Sequence, residues 1–117
     1  MFADCSTLVT PPELLATKLG AGCYYRMFYN CSKLNKLPKL PATNLPYNAY
    51  DNMFSTCRSI KLSATKTGEY QIPYRIPTTG TGTVNTDSLT GMFSSTGGTF
   101  TGTPSINTTY YTSNELV

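Results

Sequence analysis

The chain has 117 residues, 39% of them hydrophobic and only 13% charged, with a formal net charge of +3. That length allows a single domain with a modest core. It holds no histidine, which removes the commonest general base and the commonest metal ligand together. Thr, Ser, Asn, Gly, Pro and Tyr fill much of the remainder, a mix that points to a turn-rich secreted or surface protein and away from a helical cytosolic enzyme.

In chain order, the sequence repeats every 26 residues. Met1-Phe2, Met27-Phe28 and Met53-Phe54 mark the period, and Cys5, Cys31 and Cys57 and then Leu8, Leu34 and Ile60 keep it. A fixed period of this size signals stacked units, none of which can bury its apolar face alone. Leu8 to Pro11 reads as a short strand of the first unit. Leu19 to Tyr29 reads as short helical turns, with Leu19, Cys23 and Met27 spaced four apart on one core face. Leu34 to Leu37 is the equivalent strand of the second unit, ended by Pro38 and Pro41. Leu45 to Ser55 repeats the helical spacing through Leu45, Ala49 and Met53. Ile60 to Leu62 is the third strand, expected to lie in parallel beside the other two.

After Gly68 the repeat fades. From Ile76 onward the chain is dense in Thr and Gly, and short strands with glycine turns are expected, anchored by Val84, Leu89, Met92, Phe93, Phe100, Ile106, Tyr110 and Tyr111. A flexible segment past Asn107 is the competing reading. The division is therefore 1–66 as repeats, two full and one degenerate, and 67–117 as a Thr/Gly-rich C-terminal cap packed on the last repeat. Met1 falls on the repeat's own Met position, so the chain starts partway through a unit. It shows no signal peptide and no run long enough to span a membrane.

Met-Phe-Tyr-Asn-Cys-Ser-Lys-Leu (27–34), Leu-Pro-Ala-Thr-Asn-Leu (40–45) and Met-Phe-Ala-Asp-Cys-Ser-Thr-Leu (1–8) closely resemble the BspA-like leucine-rich repeat surface proteins of gut and oral bacteria. Similar arrays occur in proteins of phages that infect gut bacteria. The resemblance implies an α+β solenoid, with one short parallel strand and one short helix per coil, and a non-catalytic adhesion role. This chain is far shorter than the usual array.

Chemistry is sparsely supplied. The cysteines lack a paired Cys-x-x-Cys, which speaks against a metal site. They read as small buried residues, or as partners in a disulfide that the sequence cannot assign. Without histidine no cysteine is activated as a nucleophile, and the six acids stand singly, so no glycosidase pair is suggested. The expectation is no enzyme, no cofactor and no metal.

Between Lys18 and Lys66 the chain carries eight basic residues against Asp51 alone. They read as a solvated face or as a basic surface for an anionic partner. Tyr25 and Tyr29, four apart, and Tyr47 stand at non-repeating positions and are binding candidates, since tyrosine is enriched at interfaces. Tyr24 and Tyr50 fall at equivalent positions and read as the edge of a stacked core. Lys33, Asn35, Lys36 and Lys61 should point outward on the strand side. The candidate surface is thus Tyr25, Tyr29, Lys33, Asn35, Lys36, Tyr47 and Lys61. The expected role is a recognition module, extracellular, on a bacterial surface or a virion, binding a host or neighbouring-cell protein or glycan, with no nucleic acid and no membrane insertion. The alternative is a structural subunit of a phage virion or filament, self-associating through its N-terminal coil.

Overall fold

The computed structural model describes residues 2–117, and the packing begins in their backbone amides. Residues 20–31 form a run of overlapping turns. The N–H groups of Cys23, Tyr25, Met27, Tyr29 and Cys31 donate to the carbonyls three residues back, at 3.1–3.2 Å. The alternate N–H groups leave the run. Gly22, Tyr24, Arg26, Phe28 and Asn30 donate to the carbonyls of Tyr47, Ala49, Asp51, Met53 and Ser55, at 2.8–3.1 Å. Residues 46–57 repeat the pattern, and Asn48, Tyr50, Asn52, Phe54 and Thr56 donate in turn to Thr86, Ser88, Thr90, Met92 and Ser94. Phe2 and Asp4 donate to Met27 and Tyr29 from the other side. Four runs, at 2–5, 20–31, 46–57 and 85–96, therefore stack through their own main chain.

This arrangement replaces the expected helices. There is no α-helix among the described residues, and none that is long and apolar enough to cross a membrane. The α+β solenoid with a helix per coil is not formed. The reason is backbone conformation: Gly22, Arg26 and Asn30 have φ of 65°, 51° and 60°, and Asn48, Asn52 and Thr56 follow at 57°, 54° and 65°. A left-handed residue every fourth position interrupts any right-handed helix. Each sits third in its turn, as a type II turn requires, and Gly and Asn take that position readily. The four-residue spacing of core positions thus reflects the turn run, not 3.6-residue helical turns. Cys23, expected in the core, is exposed for the same reason.

The fourth run lies 39 residues beyond the third, the interval that also separates Asn44 from Thr83. Asp87, Gly91 and Ser95 hold its left-handed positions. One aromatic column crosses all four runs. Phe2, Phe28, Phe54 and Phe93 stack with centroids 5.7, 5.5 and 5.4 Å apart and planes within 11°. The last three are fully buried. Each contributes about 1.5–3 kcal/mol by burial alone.

The strands are short: β1 (Lys36–Leu37), β2 (Asn44–Leu45), β3 (Leu62–Ser63), β4 (Ile72–Arg75), β5 (Thr83–Val84), β6 (Thr109–Thr112) and β7 (Glu115–Leu116). β2 and β5 pair in parallel, continuing the stack of the third and fourth runs. The expected parallel row of Leu8–Pro11, Leu34–Leu37 and Ile60–Leu62 is only partly realised. Asn35 N–H donates to Val9 carbonyl at 3.0 Å, but β1 pairs with β7, and β3 pairs antiparallel with β6. The C-terminal segment is wedged between the second and third units on this side, so residues past Asn107 are held in strands. Tyr74, in β4, donates its hydroxyl to Pro38 carbonyl at 2.8 Å and meets Phe93 edge-on.

Asn114 locks the wedge. Its buried amide donates to the carbonyls of Asn35 (2.8 Å) and Ser59 (2.9 Å) and accepts from Lys61 N–H (2.8 Å). Thr112 hydroxyl donates to Lys61 carbonyl at 2.6 Å beside it. The result is a compact globule of 33 × 29 × 22 Å.

Asn114→Ala strands two carbonyls and one amide. It should cost about 3 kcal/mol, a drop of roughly 10 °C in Tm measured by circular dichroism. The Gly97-Gly98 pair lets the chain pass against residues 58–62, where a Cβ on Gly98 would overlap the backbone nitrogen and oxygen of Leu62. Gly98→Ala should destabilise by about 1–3 kcal/mol in urea unfolding. Gly20→Ala, whose Cβ would enter open space, should change stability by less than about 0.5 kcal/mol.

Candidate functional site

The candidate residues fall into two groups. On the strand side Lys33 and Asn35 are exposed, whereas Lys36 and Lys61 are half-buried. Lys36 Nζ lies 3.8 Å from Glu115, opposite it in the β1–β7 register, and Lys61 Nζ lies 3.9 Å from Glu69. Such exposed pairs contribute little stability, but they offset part of the positive charge of this side. The backbones of Asn35 and Lys61 are engaged by Asn114.

On the turn-run side Tyr25 is 44% exposed and Tyr47 53% exposed, while Tyr29 is half-buried. Tyr24 and Tyr50 stack with each other at 5.9 Å, their planes 10° apart, and Tyr50 continues into the core. Burial raises the Tyr50 hydroxyl well above the ordinary tyrosine range, so it stays protonated.

Between Tyr25 and Tyr29 lies a residue outside the sequence-based candidates. The Arg26 guanidinium sits 5.3 Å from the Tyr25 ring centroid and 5.1 Å from that of Tyr29. Each contact supplies about 0.5–1 kcal/mol at an exposed site. Arg26 is exposed and makes no ion pair with any described residue. The type II turns explain the geometry: residues 25 and 29 are second in successive turns of the same kind, so their rings emerge on one side with residue 26 between them.

The equivalent positions in the third run are Asp51 and Asn52, where the Asn52 amide donates to the Asp51 carboxylate. In the fourth run they are Thr90 and Gly91. Asn and Gly adopt a left-handed backbone at little cost; a long side chain does so less readily. Aligning the repeats would have singled out Arg26, because it stands where Asn52 stands one period later.

The cysteines are free thiols. Cys31 and Cys57 are buried, and each donates its thiol to the phenylalanine carbonyl of the preceding run, Phe2 at 2.9 Å and Phe28 at 2.8 Å. Burial pushes the Cys57 thiol from 9.0 up to about 12, and raises that of Cys31. Burial of neighbouring atoms also raises Cys23, although its own surface is exposed. No group of three or more His, Cys, Asp or Glu side chains able to hold a metal ion occurs among the described residues. The open grooves are lined chiefly by Thr, Ser, Pro and aliphatic side chains. One, of about 390 Å³, lies between residues 84–90 and 103–106 and carries one acid, Asp87, and a wider one, of about 550 Å³, is lined by Thr17, Lys18, Leu19, Thr43 and Asn44.

No family model, curated protein or solved structure matches this chain.

Because Cys23 is the exposed thiol and Cys57 is buried and held protonated, iodoacetamide at pH 8 should label Cys23 and leave Cys57 unlabelled until the chain unfolds, as read by mass spectrometry. The folded state holds the Cys57 proton more tightly than the unfolded state does. Stability should therefore fall as pH rises from about 9 to about 12, and Cys57→Ala should lessen that fall in Tm.

Proposed function

We propose that this protein is a non-catalytic recognition module that binds a carboxylate-bearing surface, on a protein or an acidic glycan, through Tyr25, Arg26 and Tyr29, with Tyr47 extending the contact. The observation that carries this reading is Arg26. It keeps a strained left-handed backbone at a position filled by Asn52 and Gly91 in the neighbouring runs, and its side chain is clamped between two tyrosine rings. Strain at a position that cheaper residues fill elsewhere in the same fold argues for selection on the side chain. A guanidinium set over two tyrosine rings and without an ion-pair partner among the described residues keeps its donors available for two-point bonding to a carboxylate. The resemblance of residues 1–8 and 27–34 to BspA-like repeats supports display on a bacterial surface or a virion at the level of motif.

Arg26→Asn is the informative variant, because it relieves the backbone while removing the guanidinium. Binding to the hits of a glycan and acidic-peptide array should fall at least about tenfold, with Tm unchanged or slightly raised. Arg26→Lys should recover only part of the binding, and Lys33→Ala should leave it near the original level. Unchanged binding by Arg26→Asn sinks the proposal.

A further inference from the structure

In the third run the amides of Asn48, Tyr50, Asn52 and Phe54 donate to alternate carbonyls of the fourth, those of Thr86, Ser88, Thr90 and Met92. The equivalent amides of the fourth run are Asp87, Leu89, Gly91 and Phe93, and they divide into two pairs. Gly91 N–H meets the Thr103 hydroxyl at 2.9 Å, and Phe93 N–H meets the Gly102 carbonyl at 3.0 Å. Asp87 and Leu89 N–H donate to no described residue, although Leu89 is only 7% exposed. An amide left unpaired on a buried residue is rare in a folded protein.

The groove of about 390 Å³ opens at this place, between residues 84–90 and 103–106. Both walls are interior segments of the chain. The second wall arises because the covering segment leaves the run after Thr103. Ser105 N–H turns to the Tyr110 hydroxyl at 2.9 Å, and Asn107 rejoins the stack by bonding Gly82 N–H and carbonyl at 2.8 and 3.1 Å. Along the departing wall the carbonyls of Thr103, Pro104 and Ser105 accept from no described residue. Asp87 is the one charged residue that lines the groove, and its carboxylate accepts from the Thr90 hydroxyl at 3.1 Å.

We infer that this groove binds an extended basic peptide segment of a separate protein. Two alternate carbonyls of the segment accept from Asp87 and Leu89 N–H, an apolar side chain lies against Val84 and Ile106, and a Lys or Arg side chain reaches Asp87. The spacing argues for a polypeptide: amides two residues apart are met by alternate carbonyls where the second run joins the third and where the third joins the fourth. Charge argues for a basic one, since the Asp87 carboxylate repels an anionic acceptor and attracts a cation beside the same amides. Main-chain bonds of this kind supply affinity and side-chain contacts supply selectivity, as in strand addition to sheet edges. The groove shares no residue with the Tyr25, Arg26 and Tyr29 cluster, so the inference does not rest on the proposed function.

The test titrates the ¹⁵N-labelled protein with three acetylated and amidated pentapeptides, Thr-X-Lys-X-Thr with X as Val, Leu or Phe. At least one should give saturable shifts confined to residues 84–90 and 103–106. At saturation, hydrogen exchange of the Asp87 and Leu89 amides should slow about tenfold while that of Gly91 and Phe93 stays as it was. Replacing the central Lys by Glu should weaken binding about threefold, and Asp87→Asn should remove that difference while keeping the shifts. Absence of shifts with all three Lys peptides at about 1 mM overturns the inference. So do shifts at 84–90 that follow protein concentration without peptide, which make a second copy the occupant. Slow exchange of Leu89 in the free protein also overturns it, because residues 103–106 then close on the amide themselves.

Discussion

Every second amide in the turn runs points out of its own run, and the rest of the molecule depends on that alternation. One set of N–H groups closes turns; the other crosses to the next run. Buried main-chain groups are thereby satisfied without a helix and with little regular sheet. The crossing bonds place equivalent residues one above another, so Phe2, Phe28, Phe54 and Phe93 form one column. Their centroid spacing slightly exceeds the separation of hydrogen-bonded chains, roughly 4.8 Å, as offset stacking of rings requires. The cysteine column follows from the same register. The Cys31 and Cys57 thiols each find the phenylalanine carbonyl of the run before them, which accounts for small, weakly polar residues at that position.

The alternation also sets what the ends can do. A stack built this way has a donor end and an acceptor end. The donor end is covered by Gly102 and Thr103, so its amides are partly spent within the chain. At the acceptor end Phe2 and Asp4 donate to the carbonyls of Met27 and Tyr29.

On the strand side a different constraint operates. The C-terminal strands enter between units that the repeat alone would place side by side, and Asn114 ties the intruding segment to both neighbours. Prolines at 38 and 41 already limit regular pairing there, since proline donates no bond. The wedge uses carbonyls and amides that the short strands leave unpaired. It also brings Glu115 to within 3.8 Å of Lys36, whereas Arg26 on the turn-run side makes no ion pair with any described residue.

The sequence by itself determined the period, the residues of the aromatic and cysteine columns, and the burial of Leu45, Ala49 and Met53, because these depend on identity and spacing. It also pointed to Tyr25, Tyr29 and Tyr47 as residues outside the repeat. It did not distinguish a helix from a run of type II turns, since a spacing of four is nearly the same in both. The deciding signal, Gly or Asn every fourth position, is interrupted by Arg26 and Thr56. Only the tertiary structure decided the insertion of residues 109–116, because strand pairing across 79 positions leaves no local pattern. Only the tertiary structure placed Arg26 between two rings, because that contact requires a left-handed backbone which the stack imposes and arginine by itself disfavours.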